Sequence, residues 1–368
     1  MREKVTQINL ETATQKITEE CTECGLCSEA CNFLAQTGVS PLEMARRGIA
    51  MEEAYGCAQC GMCGVICPLH LNPMQMFVAR RVEAISNEEL DPNDFNYFLP
   101  DWEENVMKLY RSYCEVDYSK ITIDLDSSTC FFPGCTLMTY SPGLTKKIYS
   151  QIQLKYGCQG MLTSCCGKPL YQMGLIDRAE KYAETIIGEV LQRGIQRLVV
   201  GCPSCYYLLR DLLKGTGVEI RTVYEMLDFK KNSPESLPQC TVHDPCPDRV
   251  EGIFSQQVRG ALETFGYELV EMEGNRENAL CCGSGGQISH FRPELSYNLV
   301  EGRLNQASST GAAILASSCL SCVLNFARLP SKLSVRHVLN LLLEYDEDYT
   351  DTKNKAAQMF AQQDQVKD

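Results

Sequence analysis

Ten of the 22 cysteines in this 368-residue chain fall into two sets with the same internal order. The first is Cys135, Cys165, Cys166, Cys202 and Cys205, and the second is Cys246, Cys281, Cys282, Cys319 and Cys322. In each set a lone Cys precedes a Cys-Cys-Gly step, and a Cys-x-x-Cys follows. Thiolates are soft ligands that suit iron–sulfur clusters and zinc, so five in one recurring order is the layout of a metal site. The offsets between sets are 111 (135 to 246), 116 (165 to 281) and 117 (202 to 319). Such near-constancy predicts an internal duplication in which each copy holds its own cluster.

A second group lies nearer the N terminus. It reads Cys21-x-x-Cys24-x-x-Cys27-x-x-x-Cys31-Asn32 and then Cys57-x-x-Cys60-x-x-Cys63-x-x-x-Cys67-Pro68. Both resemble the bacterial ferredoxin run, whose first three cysteines hold one cubane while the fourth reaches to the other. The resemblance implies one [4Fe-4S] centre on Cys21, Cys24, Cys27 and Cys67, and a second on Cys57, Cys60, Cys63 and Cys31. Zinc, the competing ion, takes four ligands and has no use for the third Cys at this spacing. Gly25, Gly61 and Gly64 are expected to give the turns room or a positive φ, and Pro68 to close the second motif. Pro41 to Ala54 and Pro73 to Ile85 have helical composition. Residues 1–85 are therefore expected to be a helical domain with its two clusters in loops between short helices.

The elements that must position the ten duplicated cysteines follow a 43-residue linker, 86–128, with a helix expected from about Asp101 to Glu115. The linker is expected to cover the seam between domains. From Ser128 onward, apolar runs alternate with amphipathic stretches. Strands are expected at Ser128 to Phe132, Arg197 to Gly201, Thr241 to Asp244 and Ala312 to Ala316. Helices are expected at Leu144 to Tyr156, Asp177 to Arg193, Phe254 to Phe265 and Glu294 to Ala307, and each copy ends in a short strand and helix (Glu219 to Asp228, Lys332 to Glu344). This alternation predicts a duplicated α/β domain with mostly parallel sheets and pseudo-two-fold halves, 129–235 and 236–345, its cysteines at strand ends. An acidic tail, 346–368, is expected to be a surface helix or a disordered terminus.

Composition narrows the class. A secreted disulfide scaffold would be short and led by a signal sequence, whereas the polar start from Met1 to Glu20 has no apolar core. No uncharged stretch approaches the roughly 18 to 20 residues needed to span a bilayer. The formal net charge of −13 argues against nucleic acid or an anionic membrane surface as the main partner. A cytoplasmic protein is expected, either free or peripheral to a membrane complex, with cysteines serving as metal ligands.

The complete pattern, Cys-x(n)-Cys-Cys-Gly-x(n)-Cys-x-x-Cys twice with ferredoxin motifs in front, resembles the cysteine-rich CCG proteins of the heterodisulfide reductase type. It looks like the fused form, with ferredoxin-like and cysteine-rich regions in one chain, found in the D-type heterodisulfide reductase subunits. Similar chains occur in thiol:fumarate reductase, anaerobic glycerol-3-phosphate dehydrogenase, and glycolate or lactate oxidation. The resemblance covers roughly residues 15 to 345. It implies a non-cubane [4Fe-4S] cluster on each five-cysteine set, two cubanes in front, and cleavage of a small-molecule disulfide between the paired non-cubane clusters. It also implies a flavoprotein or other redox subunit as partner in an anaerobic complex. The alternative function is a pure electron relay between a flavin-dependent dehydrogenase and a quinone, cytochrome or other acceptor. A redox sensor or zinc scaffold is a third and weaker reading.

In the first set, 29 residues separate Cys135 from Cys165, against 34 between Cys246 and Cys281. Cys130, with 34 residues before Cys165, is thus a second candidate for the lone ligand. Alignment of Pro133-Gly134-Cys135 with Asp244-Pro245-Cys246 favours Cys135. Cys114, Cys130, Cys158 and Cys240 read as buried free thiols. His243, three residues before Cys246, is a candidate donor to a departing thiolate, although a role in shaping the turn is the plainer expectation; His290 is a weaker case. Gly283-Ser284-Gly285-Gly286 lacks the phosphate-loop pattern, and close approach of backbone to a cluster is the expected reason for its glycines. No Gly-x-Gly-x-x-Gly run marks a nicotinamide or flavin site.

Overall fold

The computed structural model describes residues 9–121, 128–158, 160–230 and 236–364. The chain's first eight residues, linker residues 122–127, residue 159, residues 231–235 between the duplicated halves, and 365–368 of the tail lie outside the described residues.

Two three-stranded parallel sheets form the C-terminal region. The first runs β1 (Thr129–Phe132), β2 (Arg197–Val200), β3 (Glu219–Thr222), and the second β4 (Cys240–His243), β5 (Ile314–Ser317), β6 (Ser334–His337). Strands β1, β4 and β5 are buried along their whole length, as expected for parallel strands covered on both faces. Phe132 stands opposite Val200, and His243 opposite Ser317. The helices Ile176–Gln192 and Pro293–Ser309 are both 17 residues long, so the halves repeat in length as well as order.

Each Cys-x-x-Cys sits where a strand hands over to a helix. Cys202 and Cys319 are N-caps of Pro203–Leu212 and Leu320–Phe326, with extended φ of −118° and −115°. The second Cys of each pair, Cys205 or Cys322, lies in the first turn, so both sulfurs emerge at one helix end.

The N-terminal region is helical. Ile17, Phe33, Leu34, Met44, Ala54, Met76 and Phe77 form its core, with Leu295 of the second half packed into it. The helix expected from Pro41 to Ala54 is two helices, Pro41–Arg47 and Met51–Gly56, because Gly48 at φ 87° ends the first. A carboxylate oxygen of Glu53 accepts from the Ala50 N–H at 2.9 Å and starts the second.

The linker helix is shorter than expected, Val106–Tyr113, because Asn105 caps it: its Oδ1 accepts from the N–H groups of Met107 and Lys108, both at 3.2 Å. The linker touches both halves. Arg178 of the first pairs with Asp101 at 2.7 Å, and Phe95 stacks on Phe291 of the second with ring centres 4.8 Å apart.

Arg81, fully buried, ties the regions together. It donates to the carbonyls of Ala54 (2.9 Å) and Cys57 (2.6 Å) in its own region, Gln172 (2.7 Å) in the first half and Gly286 (2.8 Å) in the second. The planar fork of five N–H donors suits convergent carbonyls where a lysine would not.

Candidate metal centres

The two ferredoxin-like loops have the same backbone. Glu23 and Gln59, each just before the second Cys of its motif, both have φ 52°, and Gly25 and Gly61, just after it, have φ 82° and 75°. The left-handed Glu23 and Gln59 carry no glycine to announce them. Gly64 is needed for space instead: a Cβ there would lie 3.0 Å from Asn72 Cγ.

One cavity is lined by Cys21, Cys24, Cys27 and Cys67, and another by Cys31, Cys57, Cys60 and Cys63, with Cys63 also bordering the first. The fourth cysteine of each motif therefore sits with the first three of the other. Burial pushes the Cys63 thiol well up, and the neighbouring Cys57, Cys60 and Cys31 add to it. Thiols packed this closely cannot ionise together unless a cationic centre lies among them.

The five-thiol sets also converge. Neighbouring sulfurs influence one another's protonation in one order, Cys135, Cys165, Cys166, Cys205, Cys202 in the first set and Cys246, Cys281, Cys282, Cys322, Cys319 in the second. Cys135 and Cys165 sulfurs are 3.5 Å apart, and those of Cys282 and Cys322 3.1 Å. Interactions with neighbouring thiols pull Cys135, Cys166, Cys202, Cys246 and Cys282 down, and push Cys165, Cys205, Cys281 and Cys322 up in return. Such alternation is how a crowded all-sulfur donor set distributes its protons, and it fits a metal–sulfur core that would supply the missing positive charge. At Gly134 a Cβ would stand 3.2 Å from Cys205 Sγ, so a side chain there would crowd the sulfurs.

Cys130 is not among them. Its sulfur is buried in the core against the Gly160 carbonyl at 3.4 Å and beside Cys158. Cys135 is the member the fold places at the first set. Cys158 and Cys240 are buried as expected, and burial pushes Cys240 up to about 12; Cys114, expected to be buried, is instead exposed at the C-terminal end of the linker helix.

The sulfur groups form one series. Cys202 of the first set lies beside Cys319 of the second, close enough that each shifts the other's protonation. Cys60 of the ferredoxin-like region in turn lies beside Cys246 and Cys281, whose thiols shift its own protonation. Arg249 lies at this second junction, donating to the Cys60 carbonyl at 2.9 Å; burial opposes its charge, but the Cys246 and Cys60 sulfurs more than compensate.

The glycines after Cys282 serve a different contact from the one expected. A Cβ at Gly285 would lie 2.6 Å from the Ala58 carbonyl oxygen, and one at Gly286, where φ is +60°, 2.8 Å from the Ala58 carbonyl carbon. The backbone they approach is that of the second ferredoxin-like loop.

The tail contributes a residue with no signature in the sequence. The helix Thr352–Asp364 carries Lys353, whose Nζ donates to Asn325 Oδ1 at 3.0 Å, while Asn325 Nδ2 donates to the Cys282 carbonyl at 2.6 Å. Burial pushes Lys353 down to about 8, opposed by the thiolates of Cys282, Cys322 and Cys319. His290 is remote in role, bonding Tyr97 Oη at 2.6 Å and stacking on Phe98.

Residues 129–210 and 240–327 each match the cysteine-rich CCG domain, and residues 17–71 match a 4Fe-4S dicluster domain. This chain is a CCG-domain iron–sulfur protein. Among relatives of this CCG protein is the D-type subunit of the dihydromethanophenazine:CoB–CoM heterodisulfide reductase of Methanosarcina barkeri, 24% identical over 83% of this chain and 80% of that one. The B-type subunit of the CoM/CoB fumarate reductase of Methanothermobacter marburgensis is 22% identical over 90% of this chain and 72% of that one. Lactate utilization protein A 1 of Bacillus mycoides is 24% identical over 58% of this chain and 95% of its own length. The CCG protein is thus an iron–sulfur protein related to heterodisulfide and fumarate reductase subunits. Among its described residues no helix is long and apolar enough to cross a membrane.

Proposed function

We propose that this protein is the iron–sulfur subunit of an anaerobic redox complex, passing electrons through two cubanes to two non-cubane [4Fe-4S] clusters that reduce a thiol disulfide. The observation that carries the reading is the unbroken sulfur series, from Cys60 to Cys246 and Cys281, through the second set, and from Cys319 to Cys202. The clusters, when bound, supply one-electron redox chemistry.

Cys21, Cys24, Cys27 and Cys67 would hold the outer cubane, and Cys31, Cys57, Cys60 and Cys63 the inner one. Each five-cysteine set would hold one further cluster. The overall reaction, RSSR′ + 2e⁻ + 2H⁺ → RSH + R′SH, needs two electrons, and two sites joined at Cys202 and Cys319 present one metal centre to each departing sulfur. Thr136 and Ser321, next to Cys135 and Cys322, meet across the seam at 3.2 Å and hold the two sites in register. A separate flavoprotein or other redox subunit would supply the electrons, with the complex in the cytoplasm or against a membrane partner.

The likeness to a lactate utilization protein favours one other reading, a pure relay between a dehydrogenase and an acceptor. Iron and acid-labile sulfide content of anaerobically purified protein, with EPR spectra before and after adding thiols to the oxidised form, separates the two. About sixteen irons and a thiol-induced paramagnetic signal support disulfide chemistry. Sixteen irons with spectra blind to every thiol would make the chain a relay, and about eight would leave the duplicated sites without clusters.

A further inference from the structure

The two five-cysteine sites are not equivalent. In the second half β4 ends on His243, which is fully buried, and its Nδ1 lies 3.1 Å from Nε of the fully buried Arg303. The ring sits against two cysteines of the second set: one of its nitrogens and the sulfurs of Cys282 and Cys322 all lie within 4.8 Å of one another. Nε2 is buried with no hydrogen-bond partner, sulfur included, so its N–H is left over for a group bound beside it. Among its described residues the first half has apolar side chains at the matching places. The last residue of β1 is Phe132, and the residue 117 positions before Arg303, at the same place in the matching 17-residue helix, is Ile186.

The spacing of His243, Cys282 and Cys322 would suit a mixed metal site, but the chemistry of Arg303 decides otherwise. A guanidinium has donors only, so Nδ1 must accept and the ring proton must sit on Nε2. A ligating histidine shows the reverse arrangement, giving its other N–H to an acceptor. Arg303 is itself held in place, donating to the Gly274 carbonyl at 3.0 Å and to Gln306 Oε1 at 2.7 Å. Phe326 meets the imidazole edge-on, with ring centres 4.9 Å apart, and limits its rotation.

We infer that His243, oriented by Arg303, is a positioning residue that donates an Nε2–H hydrogen bond to a sulfur of the second cluster, and that it raises this cluster's reduction potential above that of the first. Hydrogen bonds to sulfur favour the reduced, more negative state of an iron–sulfur centre. The second site, which adjoins Cys60, is then the one at which an incoming electron comes to rest. This inference rests on the assignment of a cluster to each five-cysteine set.

Two measurements test it. In wild-type protein labelled with ¹⁵N-histidine, electron–nuclear double resonance on the second cluster should show a deuterium-exchangeable proton and only weak nitrogen coupling. Strong ¹⁵N coupling would mean ligation and would overturn the inference, as would the lack of any exchangeable proton. In an EPR-monitored redox titration, His243→Phe, which places in β4 the residue that already ends β1, should lower the reduced-to-oxidised ratio of one non-cubane cluster about tenfold at fixed potential. That corresponds to about 59 mV for a one-electron couple. His243→Gln, which keeps an N–H, should fall between. Unchanged potentials, or equal shifts in both clusters, would overturn the inference alone. Wild-type protein with about eight irons would overturn it together with the reading on which it rests.

Discussion

Cys135 and Cys130 lie only five positions apart in sequence, but the bend at Pro133-Gly134 separates their environments: one sulfur joins the first set, while the other is sealed against the Gly160 carbonyl. Replacing Cys135 by Ser should cost up to four irons per chain, whereas Cys130→Ala should retain all of them and lower stability by only about 1 kcal/mol, the loss of a small buried apolar group. Iron analysis and denaturation of the two variants check this. His337 gives a pH prediction. It is fully buried; its Nδ1 accepts from the Leu339 N–H at 3.2 Å, which leaves Nε2–H to donate to the Ser318 carbonyl at 3.1 Å. Burial pushes its pKa from 6.5 down to about 4. Between these values the unfolded chain binds the proton and the native one does not, so stability falls as the pH drops from 6.5 to 4, by at most about 3 kcal/mol. His337→Asn should flatten this part of the stability profile under anaerobic conditions, and an unchanged slope would show that His337 is not the group responsible.

At the scale of elements, the same device is used twice: a four-residue parallel strand, buried at its C-terminal end, delivers a Cys to the N-cap of the next helix. Arg197 to Gly201 was readable as a strand because a strand covered on both faces is a continuous apolar run. The Pro41 to Ala54 stretch was not readable as two helices, since its apolar spacing carries on across Gly48 and only the backbone turn there breaks it. The Gly285-Gly286 loop is an element-scale contact as well. Gly286→Ala would place a Cβ against the Cys57–Ala58 backbone at a position where φ is +60°. It should destabilise the docked arrangement by about 2–4 kcal/mol, combining backbone strain with overpacking. The expected readout is slower reduction of the duplicated-domain clusters by a pre-reduced ferredoxin-like region, with the iron content retained. Reduction at the wild-type rate would count against this loop as the docking contact.

Across the whole molecule, Arg81 is the joint. Its guanidinium satisfies carbonyls from three regions, and Tyr55, over which it lies at 4.7 Å, donates to the Met173 carbonyl at 2.8 Å. Arg81→Met keeps much of the apolar stem but removes a donor from all four carbonyls, although Gln172 still accepts from Gln59 Nε2 at 3.1 Å and Ala54 from the Cys57 N–H at 3.3 Å, and should cost about 3 kcal/mol. The ferredoxin-like region should then unfold in a separate, earlier transition from the duplicated region, seen as two steps in calorimetry where the wild type shows one. The linker adds a second clamp through Arg178–Asp101 and Phe95–Phe291, so docking does not depend on a single residue.

What the sequence determined by itself was the inventory of sulfur and its local order. A thiol run at x-x spacing, a Cys-Cys-Gly step and a strand-end Cys-x-x-Cys are short-range features, written in consecutive residues because each cluster-binding turn is built locally. The duplication was legible for the same reason, as a nearly constant offset between like motifs. Only the tertiary structure decided which groups face one another across long separations. It brought Cys60 to Cys246 and Cys281, Cys202 to Cys319, Arg303 to His243, and Lys353 of the acidic tail to Asn325. Those pairings depend on how sheets and helices pack, and packing is set by the summed fit of many apolar side chains, which no short stretch of sequence records.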